Sequence, residues 1–249
     1  MKASFVFSCL IFLSLHPAVS QETITLRYEK KQKTYHRQSN GKVVLVEEQL
    51  STAVLLRKRE KILYYEKPES RRQLLELTEE GTALASGSSA PADAWGTLYF
   101  RDIDSLFNLV RINRGGSYIV NRFPIWKGDQ VWTILPDTRQ IGRFFCQRAQ
   151  LHDHGDLVWE VWFTDEVPLG YNLYNLMELP GMVVEATLFY PYTEFRLTEY
   201  AAHVLLRDED LFPEVLKVKP NLLSRKAYET SMTRLRELRR MYAVRPEQP

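Results

Sequence analysis

The chain has 249 residues, 45% of them hydrophobic and 26% charged, with a formal net charge of +2. Those proportions belong to a globular protein and exclude disorder as the state of the whole chain. The charges nearly cancel, which leaves no electrostatic footprint for nucleic acid or for a strongly acidic partner.

The first twenty residues differ from the rest. Lys2 supplies a short positive start, 4–15 is an uncharged apolar run, and Pro17-Ala18-Val19-Ser20 ends small-x-small ahead of Gln21. This predicts a secretory signal peptide over 1–20, cleaved after Ser20, with 21–249 as a single β-rich domain. The run is shorter than the roughly 20 residues a spanning helix needs, and no later stretch is long and apolar enough to cross a membrane as a helix. Cys9 lies inside the apolar run rather than at the cleavage position, so it reads as part of the signal core. Cys146 is then the one cysteine of the mature chain and has no partner for an internal disulfide. Its neighbours Phe144 and Phe145 predict a buried thiol.

Along the mature chain the dominant signal is period two. Ile24, Leu26 and Tyr28 alternate with polar residues. Leu50, Thr52, Val54 and Leu56 share one strand face. Leu157, Trp159, Val161 and Phe163 oppose Asp156, Glu160 and Thr164, and Met182, Val184, Ala186 and Leu188 oppose Glu185 and Thr187. Such alternation marks half-buried strands. Further strands are predicted over 43–46, 62–65, 97–100, 109–112, 117–123, 131–135, 141–150 and 195–205. Asn40-Gly41, Gly115-Gly116 and Lys127-Gly128-Asp129 supply turn chemistry between them. A short helix is predicted near 71–77, and 86–93 reads as a flexible loop broken by Pro91. The last element is a helix over about 224–242, with Ser224 as its N-cap. Tyr228, Met232, Leu235, Leu238 and Tyr242 form its apolar face; Arg225, Lys226, Arg236 and Arg240 lie away from that face, and Arg239 must snorkel from it. The predicted fold is mainly β, a curved antiparallel sheet or half-open barrel with a C-terminal α-helix.

One segment carries a resemblance. Trp132-Thr133-Ile134 precedes 137–141, Phe144-Phe145-Cys146-Gln147-Arg148-Ala149 follows, then Trp159-Glu160-Val161-Trp162-Phe163-Thr164, Val167-Pro168 and Leu179-Pro180-Gly181-Met182. In order and spacing this resembles the GLPGLI family, exported cell-envelope proteins of Bacteroidota whose activity is not established. The resemblance implies family-motif roles for Trp132, Cys146, Ala149, Trp162, Pro168, Leu179, Pro180 and Gly181, and a periplasmic or outer-membrane-associated location. Glu178 stands where the signature begins with glycine, and Arg143 where a glycine usually precedes the aromatic residue. Read from the residues alone, Leu179-Pro180-Gly181 is a turn, with Pro180 fixing φ and Gly181 accepting a positive φ.

Three constellations suggest chemistry. His152, His154 and Asp156 place two imidazoles and a carboxylate within five residues, a spacing that can hold a metal ion, although Gly155 puts them in a hairpin turn. Cys146 with His152, His154 or His203 would make a nucleophile and base for a hydrolase. Trp159 and Trp162 face opposite sides of one strand, so the outer one is covered by the C-terminal helix or lines an apolar groove that includes Glu178. There is no nucleophile elbow, phosphate-binding glycine loop or His-Glu-x-x-His. The leading expectation is a non-enzymatic binding or scaffold protein for a hydrophobic small molecule or an outer-membrane protein, needing no cofactor. The alternatives are a metal-handling protein using the His152/His154 cluster and a hydrolase using Cys146.

Overall fold

The computed structural model describes residues 23–37, 39–40, 43–67, 71–74, 95–114 and 117–242. The predicted leader over 1–20, Cys9 and the loop over 86–93 lie outside these residues, as do the side chains of Arg239, Arg240 and Tyr242. The strands are β1 (Thr23–Arg37), β2 (Val43–Lys58), β3 (Lys61–Glu66), β4 (Arg71–Leu74), β5 (Leu98–Asp102), β6 (Phe107–Arg114), β7 (Ser117–Pro124), β8 (Trp132–Ile141), β9 (Phe144–Asp153), β10 (Asp156–Thr164), β11 (Met182–Phe189), β12 (Tyr192–Ala202) and β13 (Asn221–Leu222). Two helices follow the meander: the single turn α1 (Asp208–Leu211) and the long α2 (Arg225–Tyr242). The protein is therefore mainly β with a C-terminal helix, as the alternation predicts. No helix among the described residues is long and apolar enough to cross a membrane.

All the strands belong to one sheet, ordered β13-β7-β6-β5-β3-β2-β1-β12-β11-β10-β9-β8, with β4 paired to β2 off this path. Every pairing is antiparallel except that of β13 with β7. Of the segment predicted as a helix near 71–77, the described residues 71–74 are strand β4. Its four residues lie opposite Glu47–Leu50, beyond the part of the long β2 that β3 pairs with. Unpaired backbone there recruits the passing chain, and pairing overrides local preference.

The sheet is open, and chain connectivity makes it curl. β7 and β8 stand ten steps apart in the strand order. Laid flat, ten steps at ~4.8 Å would separate them by roughly 48 Å. Pro124 and Trp132 are joined by only the seven residues 125–131, which can reach about 29 Å when fully extended. The two ends of the sheet must approach one another, leaving a mouth between the β7–β13 edge and β8 that no strand closes.

The curl creates two cores. Inside it, Ile24, Leu26, Tyr28, Leu55 and Tyr64 share one cluster with Phe144, Cys146, Trp159, Val161 and Phe163 from the far half of the sheet. The chain between β10 and β11, residues 165–181, fills much of that space as a plug, with Leu169, Leu173, Leu176 and Leu179 buried. Outside, Val54, Leu56, Leu63, Phe100 and Leu109 form a second cluster under Leu211 of α1 and Leu216. Hence 53–56 are buried on both strand faces, where simple alternation assigns one face to water.

The plug is pinned by Asn172. Its side-chain NH₂ donates to the carbonyls of Leu169 (3.0 Å) and Gly181 (3.1 Å), and its oxygen accepts from the Val183 N–H (2.9 Å). Gly181 is needed here for a different reason from the one read in the sequence. Its φ is not positive. Instead, a Cβ at this position would lie 1.9 Å from the carbonyl oxygen of Thr164. The left-handed residue of the signature is Glu178, with φ of 67°.

Candidate functional site

A half-enclosed cavity of about 810 Å³ lies between α2 and the concave face of the sheet. Its floor carries Tyr99, Trp159 and Leu188, the plug contributes Tyr174 and Met177, and α2 roofs it with Tyr228, Met232 and Leu235. Tyr174 packs at 5–6 Å from the rings of Tyr64, Tyr99, Trp159 and Phe195, which makes the floor a continuous aromatic surface.

The roof is laid across the mouth by its two ends. At the first end, the Ala227 N–H donates to Ser224 Oγ (3.2 Å), the predicted N-cap. Tyr228 packs against Trp126 (4.7 Å) and Phe123 (5.7 Å), both just after or at the end of β7. Arg225 pairs with Asp129 (3.0 Å) in the connection from β7 to β8. Further along, Arg236 donates to both oxygens of Asp153 (3.0 and 2.8 Å) at the β9–β10 hairpin. Eleven residues of helix, about 16 Å at 1.5 Å each, thus strap one lip of the sheet to the other. Helical spacing in the sequence sets Arg225 and Arg236 away from the working face. The structure corrects this: both line the cavity, because each lip presents a carboxylate to the helix flank.

The connection 125–131 is itself docked onto the plug. Trp132 Nε1 donates to the carbonyl of Met177 (2.9 Å), Gln130 Nε2 to that of Asn175 (3.0 Å), and the Met177 N–H to Gln130 Oε1 (2.9 Å). Glu178 accepts from the backbone N–H of Gly128 and of Gln130. A glutamate at a left-handed position thereby holds the loop that carries Asp129. It is exposed and does not line the cavity, so the groove expected to join Trp159, Trp162 and Glu178 is not assembled. Arg143 also lies elsewhere, stacked over the rings of Phe144 (4.9 Å) and Tyr200 (4.7 Å).

Of the predicted tryptophans, Trp159 is in the cavity wall. Trp162 is on the opposite face, under Arg139 (4.1 Å) and Arg148 (6.0 Å). That face is covered neither by the helix nor by an apolar groove. It forms a cleft of about 350 Å³ lined by alternating charges, among them Glu29, Lys31, Glu185 and Arg196. The remaining motif residues are structural: Ala149 and Leu179 are buried, Pro180 is exposed, and the exposed Pro168 offers its carbonyl to Arg57 (3.0 Å).

His152 is at the end of β9 and lines the cavity. His154 lies beyond it in the turn, with φ of 53° and Nδ1 2.8 Å from Asp153 Oδ1. The two imidazoles therefore do not repeat along one strand face. Among the described residues, no three His, Cys, Asp or Glu side chains converge as a metal site. Cys146 is fully buried in the inner core. Burial pushes its thiol up to about 11, while His152, His154 and His203 are all exposed, so thiol and imidazole are not brought together.

Sequence reasoning misses the polar groups under the aromatic floor. Lys30, 7% exposed, meets Glu66 at 2.7 Å, and the Tyr64 hydroxyl donates to the other Glu66 oxygen at 2.9 Å. Burial, first, and then the Glu66 charge hold the Tyr64 and Tyr174 phenols well above their ordinary range, so both stay protonated. On β5, Tyr99 and Arg101 point inward, and Arg101 Nε donates to Asn108 Oδ1 (2.7 Å). The signal was present for Lys30: it continues the inward series Ile24, Leu26, Tyr28, a charge where the pattern calls for an apolar residue.

No family model matches the chain, and no curated protein matches it. Among solved structures, PNGF-II in one crystal form superposes with a TM-score of 0.51 at 11% identity, over 85% of this chain and 33% of that one. A second crystal form of PNGF-II gives 0.49 at 11% identity, over 84% and 32%. An uncharacterized conserved protein from Thermus thermophilus gives 0.40 at 8% identity, over 83% and 92%. The chain spans about one third of the length of PNGF-II, and at this identity the likeness is one of fold: the open, curled sheet is an arrangement this chain shares with part of PNGF-II.

Proposed function

We propose that the protein is an exported, non-enzymatic binding protein of the cell envelope, of the GLPGLI type. It holds one small molecule with a largely apolar body in the cavity beneath α2. The observation that carries this reading is the cavity itself: about 810 Å³, walled by Tyr99, Trp159, Tyr174, Tyr228 and Met232. That volume falls within the range of small-molecule sites, and an aromatic lining with a few polar groups is their usual composition. The aromatic rings offer apolar surface at low entropic cost, and the strap-like roof lets a molecule enter between helix and sheet. Protein purified without denaturation and extracted with organic solvent should release one molecule per chain. Met232→Trp, which fills the space under the roof, should release none while melting normally. Equal extracts from the two proteins would refute the cavity as the site.

A further inference from the structure

At one end of the cavity, three strands place a row of side chains on the concave face. Phe123 on β7 stands opposite Asn108 on β6, and Asn108 stands opposite Arg101 on β5. Arg101 and Asn108 are each 4% exposed. Asn108 and Phe123 form part of the cavity wall. The Asn108 oxygen is occupied, because Arg101 Nε donates to it at 2.7 Å. This fixes the amide orientation and leaves the NH₂ group as the free end. Among the described residues, no acceptor meets that NH₂ group and none meets the two terminal nitrogens of Arg101.

The charge is uncompensated as well. Both arginines that line the cavity have a carboxylate partner, Asp129 for Arg225 and Asp153 for Arg236. Arg101 has none among the described residues; its guanidinium lies 4.6 Å below the ring of Tyr171 in the plug. Burial pulls it down to about 10, with no carboxylate to oppose the shift, yet it is still charged at neutral pH. Buried guanidinium groups are ordinarily paired, since an unpaired buried charge is costly. Three donor atoms with no acceptor, two of them on a charged group, beside an aromatic cavity describe half of a recognition site.

We infer that Arg101 and Asn108 form an anion subsite that grips the oxygens of an acidic head group on the molecule held in the cavity. The ligand class is then an anionic amphiphile: an apolar body against Tyr99, Trp159 and Met232, and a carboxylate or phosphate against the guanidinium and amide. A guanidinium fork suits the planar carboxylate or two phosphate oxygens. This inference rests on the cavity reading above and specifies its ligand.

The test uses the full chain and three probes of one chain length, decanol, decanoate and decyl phosphate, titrated by calorimetry. Decanoate or decyl phosphate should bind at least about tenfold more tightly than decanol, the discrimination expected of a charge-assisted hydrogen bond. The tighter of the two acids identifies the head group. In Arg101→Met that preference should vanish while decanol binding is unchanged. Arg101→Lys should retain part of it, and Arg139→Met, which alters an arginine paired with Glu185 on the opposite face of the sheet, should leave it intact. Decanol binding without preference for either acid would overturn the anion subsite and leave the cavity reading standing. Equal loss of all three probes in Arg101→Met would assign Arg101 to packing against Tyr171 and overturn it too. Failure of every probe on the wild type would sink both readings.

Discussion

Replacing Asn172 by alanine tests what holds the plug inside the sheet. Asn172 is 1% exposed and makes three hydrogen bonds, to the carbonyls of Leu169 and Gly181 and from the Val183 N–H. Truncation leaves the Val183 N–H buried without its acceptor, at about 1–3 kcal/mol. It also removes a donor from each of two carbonyls, at about 0.5–1.5 kcal/mol apiece. The sum is roughly 2–6 kcal/mol, so about 4 kcal/mol is expected. For a chain of this size each kcal/mol lowers Tm by about 2–4 °C, which predicts a fall of roughly 8–16 °C by calorimetry. Asn172→Asp should be worse at neutral pH, because a carboxylate would face two carbonyl oxygens. Burial and those oxygens raise its pKa above the unfolded value, so the folded state binds more protons and stability falls as pH rises through that range. A loss below about 1 kcal/mol for Asn172→Ala, or an Asn172→Asp variant insensitive to pH, would refute the argument that this side chain anchors the plug.

Gly181→Ala should destabilise by more than the roughly 1–3 kcal/mol typical of overpacking, since the new Cβ meets the Thr164 carbonyl oxygen rather than a movable side chain; a denaturant midpoint equal to wild type contradicts this. Cys146 should resist iodoacetamide in the native protein at neutral pH and react fully once unfolded, because the thiol is buried and held up to about 11; rapid native alkylation contradicts it. The buried phenols of Tyr28, Tyr64, Tyr99 and Tyr174 are all raised by burial. Unfolded phenols lose their protons near 10 while these keep theirs, so stability should fall above that pH by about 1.4 kcal/mol per unit for each such group. Urea midpoints taken across that range, with tyrosinate absorbance as the second readout, check the slope; a flat profile contradicts it.

The fold was legible where one face is core and the other is water. The series Ile24-Leu26-Tyr28 and Met182-Val184-Ala186 gave strands directly, and Ser224 with Tyr228, Met232 and Leu235 gave α2. Alternation fails where both faces are covered, as at 53–56, and where a bulge inserts a residue. Val158 is such a case: Leu157 pairs with His152 and Trp159 with Leu151, so Val158 turns inward beside Trp159. Strand β4 was missed because its reason is the unpaired backbone of β2, which no local window contains.

The site was less legible than the fold. Trp159 and the helix face were readable. The cavity depends on which strands become neighbours across the mouth, and that follows from the short 125–131 connection taken together with the strand order. Arg101 falls one residue past the strand predicted over 97–100, and Asn108 one residue before the strand predicted over 109–112. Neither looks unusual until β5 and β6 set them side by side. Gly181 shows the complementary lesson. A glycine after proline suggests positive φ, yet here the missing Cβ makes room for the Thr164 carbonyl, and the left-handed residue is Glu178.

The central claim is that a molecule is held between α2 and the concave sheet. Native mass spectrometry of the full chain, taken before and after incubation with decanoate, tests this most directly. The predicted spectrum shows a one-to-one complex that dissociates on denaturation and is absent from Met232→Trp. A bare polypeptide mass under both conditions would contradict it.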